Sequence, residues 1–398
     1  MHTLNEKQAE AVTLSKTARL MILTGGPGTG KTTATRAIVE AHEGKVLALA
    51  APTGKATKRL KEATGVEAKT LHRLLEYNPA SGEFMRNAKR PLDAELVIVD
   101  EASMVDLRLM AALLRALHPE HGRLLLVGDG NQLPPVGPGS VLPDMLESGK
   151  VPTVELTEIH RQAAESLIVR NAHHILHGEG LEVSGGPGGD FYWIENNSAE
   201  GCAQQILDIV LHQLPSQRKL DPVRGVQLLV PQRTGPLGAD RLNDELGKAL
   251  NPQHGPTIRL QSKTFRAGDK VLQTRNNYRL NVFNGEWGVI QKIEEGRGAE
   301  ILFEDGRLLF YNLFDASALI HSYAITVHRS QGSEYDAVVM PVSAVQAGMM
   351  SRALFYTAVT RGKKLVVIVG DRFGLRRALL SDASSHRRTS LIERLQAA

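Results

Sequence analysis

The stretch GGPGTGKT at residues 25–32 constrains this chain more than any other. It matches G-x-x-x-x-G-K-[ST], follows the apolar run LMILT (20–24) and leads into a helical pattern at 31–42. Strand, loop and helix in that order are the context a phosphate-binding loop needs. Gly26, Pro27, Gly28, Thr29 and Gly30 make the curl, with Gly28 and Gly30 letting backbone N–H groups face phosphate oxygens. Lys31 reaches the β- and γ-phosphates, Thr32 offers a hydroxyl to Mg²⁺ with Thr33 beside it, and the helix N-terminus adds its dipole. The expected ligands are ATP and Mg²⁺.

Such a loop belongs to a parallel sheet. Short apolar runs at 20–24, 46–51, 96–100 and 124–128 alternate with helical stretches such as 31–42 and 104–117, which indicates a sheet covered on both faces. A second set, VQLLVP (226–231), DAVVMPV (336–342) and LVVIVGD (365–371), predicts a second α/β core without a phosphate loop. The length of 398 residues agrees with more than one core. Two insertions interrupt the alternation. Residues 76–92 read as a β-hairpin, and strand-like runs between Gly, Asn and Asp turns at about 263–316 suggest a small antiparallel β-barrel. The expected domains are 1–160 and 161–398.

Composition sets limits around this reading. The chain carries a net charge of +4 and a pI near 9.1, which permits a polyanionic partner without requiring one. The polar start MHTLNEKQAE has no signal-peptide character, and the longest apolar runs are strand-sized. The single cysteine, Cys202, excludes an intramolecular disulfide and reads as a small buried hydrophobe. A cytoplasmic protein is expected. The histidines 173, 174 and 177 read as a helix end rather than a metal site.

Two further motifs give the loop a chemistry. In LVIVDEAS (96–103), Asp100 ends an apolar strand, placed to hold Mg²⁺, and Glu101 is placed to orient and deprotonate an attacking water. Phosphoryl transfer asks for positioning and charge neutralisation more than covalent chemistry, so adjacent acids at a strand end suffice. In VGDGNQLPPVG (127–137) a core strand opens into a stiff turn that carries one amide, Gln132. If the strands of one sheet end at a common edge, Gln132 lies beside the γ-phosphate and senses ATP against ADP.

Taken together, LNEKQAEAV, GGPGTGKT, APTGKATKRL, VDEAS, GDGNQLPPVG, HRQ, VHRSQGSE and YTAVTRGK resemble the ordered motifs of superfamily-one helicases. The chain most resembles the RecD-like DNA helicases, whose relatives include the α-subunit of exodeoxyribonuclease V, and the likeness covers almost the whole chain. It departs in starting at the glutamine motif, without the extra N-terminal region of longer members. The resemblance implies an α/β fold of two RecA-like P-loop NTPase cores, with the hairpin inserted in the first and the barrel in the second. It implies that Gln8 reads the adenine edge, that Arg161 and Arg361 act as arginine fingers, and that Glu334 touches the ribose. It assigns single-stranded DNA contacts to Pro52, Thr53, Lys55 and His72 on the first core, to His328 and Ser330 on the second, and to Asn276 in the barrel motif RNNY. Small polar groups and backbone amides on phosphates give grip without sequence choice.

The implied function is an ATP-dependent DNA helicase of repair and recombination. It would move 5′→3′ on single-stranded DNA and act at single-strand/duplex junctions, with the hairpin as a wedge. Two alternatives stay open on the residues alone: an ATP-gated nucleic-acid clamp that does not translocate, and a metabolic P-loop NTPase with a small-molecule substrate.

Overall fold

A computed structural model describes residues 4–159, 165–252, 255–260, 263–382, 387 and 389–397. The chain divides into two compact units, Met1–Val169 with Ala383–Ala398, and Arg170–Asp382.

The first unit is built on β1 (Leu20–Gly25), β2 (Leu47–Ala51), β3 (Ala68–Thr70), β6 (Leu96–Val99), β7 (Arg123–Gly128) and β8 (Thr153–Leu156). All pair in parallel, in the order β3-β2-β6-β7-β1-β8. Successive side chains of a strand point to opposite faces, which explains the unbroken apolar runs. Val97, Val99, Leu124 and Leu126 join one buried cluster, while Leu96, Ile98, Leu125 and Val127 join another. Helices pack on the sheet, and three of them have a side-chain start signal. Asn5 caps α1 (Glu6–Ser15) through a reciprocal box with Gln8, Thr53 caps α3 (Gly54–Thr64), and Asp106 caps the helix Leu107–Ala116. The insert at 76–92 contains β4 (Tyr77–Asn78) and β5 (Glu83–Phe84), paired antiparallel.

The second unit has a parallel sheet of β9 (Phe191–Glu195), β10 (Val226–Val230), β18 (Ala324–Thr326), β19 (Tyr335–Val342) and β20 (Gly362–Gly370), ordered β18-β10-β19-β20-β9. Within it, β11 (Thr257–Leu260) pairs with β12 (Lys263–Arg266). Strands β13 (Lys270–Gln273), β14 (Trp287–Glu294), β15 (Gly298–Phe303), β16 (Leu308–Asn312) and β17 (Leu319–His321) form an antiparallel sheet around Phe265, Ile290, Ile301 and Tyr311. Cys202 is buried, and burial pushes its thiol up to about 11.

Two boundaries differ from the sequence expectation of 1–160 and 161–398: the first unit runs on to Val169, and it takes in Ala383–Ala398. The helix Leu391–Ala397 packs on the helix Val141–Ser148, and Leu391 and Leu395 join the first unit's core. Two leucines one turn apart are too short a stripe to announce their partner. Among the described residues no helix is long and apolar enough to cross a membrane.

Candidate nucleotide site and nucleic-acid surfaces

The strand order explains why a core strand ends in the Gln132 turn. Strand β7 lies directly between β6, which ends at Asp100 and Glu101, and β1, which ends in the phosphate loop. Thr24 of β1 stands opposite Gly128 of β7, and Val99 of β6 opposite Leu126, so the three chain segments leave the sheet at one edge.

In the loop, Gly28 and Gly30 have φ of 74° and 84°, the left-handed region that a residue with a Cβ rarely adopts. At Gly25 a Cβ would come within 2.7 Å of the Leu156 carbonyl and the Thr29 hydroxyl. The curl is closed by Thr29, whose Oγ1 donates to the Gly26 carbonyl at 2.9 Å. Helix α2 (Lys31–Ala41) starts directly on left-handed Gly30. Lys31 Nζ donates to the carbonyls of Gly25 and Gly26 at 2.5 and 2.9 Å, which holds the ammonium at the mouth of the loop. The Thr32 side of the first turn is exposed.

Opposite the loop stands the acid pair. The Asp100 carboxylate accepts the Glu101 N–H at 2.9 Å. Burial, and next the Glu101 carboxylate, push Asp100 up to about 6, against the opposing pull of that N–H, Lys31 and Arg59. Glu101 has φ 52°, a left-handed backbone that a long side chain adopts only when its surroundings hold it there, and such strain gathers at functional sites. Two adjacent carboxylates, with the exposed Thr32 on the first turn after the loop, are oxygen donors of the kind a hard divalent cation takes.

Because the folded-state pKa of Asp100 lies above the ordinary value, the folded protein holds that proton more tightly than the unfolded chain. Stability is therefore lost as pH rises from about 4 through about 6, and the loss persists at neutral pH. Asp100→Asn is expected to raise Tm at neutral pH, with the gain shrinking toward pH 4, while impairing turnover. Thermal melts of both proteins across that range check it. A gain that does not vary with pH would show that Asp100 ionisation is not its source.

Gln132 hangs from Asp129, which is only 2% exposed. Its backbone N–H donates to the Asp129 carbonyl at 3.3 Å, and Nε2 lies 3.5 Å from Oδ2. Its Oε1 is buried and has no hydrogen-bond partner among the described residues. A buried acceptor left without a donor is one that a ligand or an ordered water can satisfy. Gln8 shows the complementary pattern. It is 1% exposed, its Oε1 accepts the Asn5 N–H at 3.2 Å, and its Nε2 is buried without a partner among the described residues. An unsatisfied amide donor of this kind suits an acceptor nitrogen on a base edge. Asp129, the anchor of Gln132, was not singled out by the sequence; its place beside Gly128 at the strand end is the only signal.

Residues 3–184 match the family described as AAA domain, and residues 242–303 match the ATP-dependent RecD-like DNA helicase SH3 domain. Residues 321–369 match the UvrD-like helicase C-terminal domain. Over 99% of its length the chain is 33% identical to the RecBCD enzyme subunit RecD of Mycolicibacterium smegmatis, of which it covers 75%. The chain belongs to the RecD-like helicase family. It is also 39% identical, over 99% of its length, to the ATP-dependent RecD2 DNA helicase of Deinococcus radiodurans, but spans only 53% of that protein. A Pif1 helicase from Bacteroides, solved with ADP-AlF3 and single-stranded DNA, shares the fold with a TM-score of 0.60 at 19% identity, over 97% of this chain and 96% of that one.

In this RecD-like chain the residues assigned to DNA occupy varied settings. Pro52, Thr53 and Lys55 sit at the start of α3, where Thr53 Oγ1 accepts the Ala56 N–H at 3.2 Å. His72 lies against the base of the hairpin, with ring centroids 5.4 Å from Tyr77 and 5.7 Å from Phe84. Burial lowers its pKa, with Asp106 pulling the other way, so this ring packs as a neutral imidazole. Tyr77 and Phe84 complete the cluster at 5.1 Å. The hairpin is braced further by Arg86 and Arg90 on Glu76, and by Arg108, which donates to the Gly82 carbonyl at 2.8 Å. None of these braces was expected from the sequence.

On the second unit, Ser330 is 0% exposed and its hydroxyl donates to the Val327 carbonyl at 2.7 Å, closing the turn that carries His328. Asn276 accepts the Asn284 N–H at 3.0 Å and donates to the Tyr278 hydroxyl at 3.2 Å. Glu334 pairs with Lys363 at 3.6 Å. Arg361 is 4% exposed, and its guanidinium donates to the carbonyls of Thr357 and Ser333 and to the Thr360 hydroxyl. Arg161 lies outside the described residues.

Proposed function

We propose that this chain is an ATP-dependent DNA helicase that moves 5′→3′ along single-stranded DNA and separates duplex at a junction. The observation that carries the reading is the adjacency of three strand ends. The phosphate loop, Gln132, and the Asp100–Glu101 pair leave one sheet edge on neighbouring strands. The relatives named RecD2 DNA helicase and RecD support the choice of DNA as the track.

In this mechanism Gln8 receives the base edge and the loop amides with Lys31 grip the phosphates. Thr32 and Asp100 are the residues that would hold Mg²⁺, whose charge offsets that of the phosphate oxygens when bound. Glu101 takes the proton of the attacking water, and the free Gln132 oxygen accepts a hydrogen bond from that water. Arg361, and by family resemblance Arg161, supply charge to the transition state, a role that suits a permanently protonated, planar guanidinium. Glu334 lies at the ribose. Pro52, Thr53 and Lys55 meet the DNA backbone from the first unit. His328 meets it from the second unit, with Ser330 fixing the His328 turn and Asn276 fixing the RNNY turn. His72 acts through the hairpin whose base it packs.

The test is ATP turnover with and without single-stranded DNA, beside unwinding of duplexes carrying a 5′ or a 3′ tail. Stimulation by single strands and unwinding of the 5′-tailed duplex alone are expected. Turnover indifferent to DNA would favour a metabolic NTPase, and stimulation without strand displacement would favour a clamp. Binding should weaken steeply with salt, by a logarithmic slope of roughly 0.7 per phosphate contact, and Lys55→Ala should lower that slope by about one contact.

A further inference from the structure

The loop that leaves Gln132 is clasped from two sides. On one side it lies against the start of the helix Leu107–Ala116. The Leu107 N–H donates to the Pro138 carbonyl at 2.9 Å, and a Cβ at Gly137 would come within 2.1 Å of the Asp106 carboxylate. On the other side one Arg387 nitrogen donates to the carbonyls of Gly137 at 2.6 Å and Gly139 at 2.9 Å. Three successive carbonyls, those of residues 137, 138 and 139, are thus held alternately by Arg387 and by the helix start. Two residues on, Thr389 donates to buried Asp144, at the start of the helix that follows the loop. Leu391 and Leu395 then anchor the last helix in the first unit's core.

We propose that Arg387 and residues 389–397 act as a strap that fixes the loop after Gln132, and that Arg387 is a positioning residue for Gln132 in the coupling of DNA binding to ATP turnover. The path is short. Gln132 is fastened to Asp129 behind it, and Pro134 and Pro135 stiffen the chain between it and the clasped glycines. Gly137 and Gly139 have no side chains of their own with which to fix the loop. A charged donor on two of their carbonyls is the kind of bond whose loss is felt, because charge-assisted hydrogen bonds are about twice as strong as neutral ones. Freed from Arg387, the loop gains conformations in which Gln132 is no longer held in its place after the strand end. The inference rests on the hydrolytic role proposed for Gln132.

The experiment uses the full chain. Arg387→Ala, Arg387→Lys, Gln132→Ala and the Arg387→Ala/Gln132→Ala pair are compared for single-strand-stimulated turnover, ATP KM, Tm and backbone hydrogen exchange. Arg387→Ala should lower kcat roughly tenfold, within the range seen for residues that touch neither ligand, with KM and Tm little changed. Exchange should rise at the Leu107, Asn131 and Gln132 amides. Arg387→Lys should recover most of the rate, because an ammonium still donates to carbonyls. In the Gln132→Ala background the Arg387 change should cost nothing further, the coupling that a double-mutant cycle detects.

Unchanged kcat, or losses that multiply in the pair, overturns the proposal. A rate loss that tracks Tm and is not recovered by Arg387→Lys overturns it as well. If the wild-type chain shows no DNA-stimulated turnover, the functional reading fails by itself. The exchange data then still decide the strap, and unaltered exchange across 131–139 in Arg387→Ala refutes it.

Discussion

Lys31→Ala is expected to abolish ATP turnover, by roughly a thousandfold or more, since it removes a fixed charge from the site where phosphate charge develops. The structure already places that ammonium at the loop mouth, bonded to the Gly25 and Gly26 carbonyls, so little reorganisation is needed when phosphate takes their place. Glu101→Gln should behave differently. The amide keeps the size and reach of the carboxylate but cannot take a proton, so ATP binding should persist while hydrolysis falls by about 10²- to 10⁴-fold. Titration with a fluorescent ATP analogue beside steady-state hydrolysis separates the two effects. Wild-type hydrolysis by Glu101→Gln would move the base to another residue.

The second large effect concerns the hairpin. Opening one base-pair step costs roughly 1.4 kcal/mol in lost stacking, so a strand-separating motor needs a stiff obstacle at the junction. The hairpin is built stiffly. The His72–Tyr77–Phe84 cluster supports its base, Glu76 ties Arg86 and Arg90, and Arg108 holds the Gly82 turn. Replacing residues 79–88 by a short Gly-Ser link should keep single-strand-stimulated ATPase activity and lose most strand separation on a 5′-tailed duplex. If ATPase activity and Tm fall together while unwinding per ATP is unchanged, the segment is a structural cap and not a wedge.

The features legible in the sequence were those written in local rules. A glycine-rich curl between strand and helix has few other uses, and LVIV or LLLV can be buried on both faces only in a covered parallel sheet. The placement of Gln132 at the sheet edge beside the phosphate loop was reachable because a parallel sheet has one carboxyl edge. Features written in long-range contacts were hidden. Strand β8, TVEL, alternates exposed and buried residues over four positions, too few to assert a period. That Tyr77 and Phe84 fold back onto His72 was hidden because nothing adjacent in sequence shows it. Gln8 looked like a base reader, yet half of its amide also closes the cap of α1. Ser330, read as a DNA contact, turned out to be fully buried with its hydroxyl bonded locally, since burial depends on neighbours the motif does not contain.

The first unit is written in two pieces, with the whole of the second between them. On a ribosome, Ile22, Val97 and Leu126 emerge long before Leu391 and Leu395, which share their cluster. Domains generally fold as units while synthesis proceeds. The second unit, continuous from Arg170 to Asp382, therefore has all its residues available before the first can complete its core. The nascent chain carries an apolar surface on the helix Val141–Ser148 for the time it takes to add the residues up to Leu395. Of the two units, the one whose residues come earlier is completed later, and the helix Leu391–Ala397 closes over a surface left open throughout the making of the other unit.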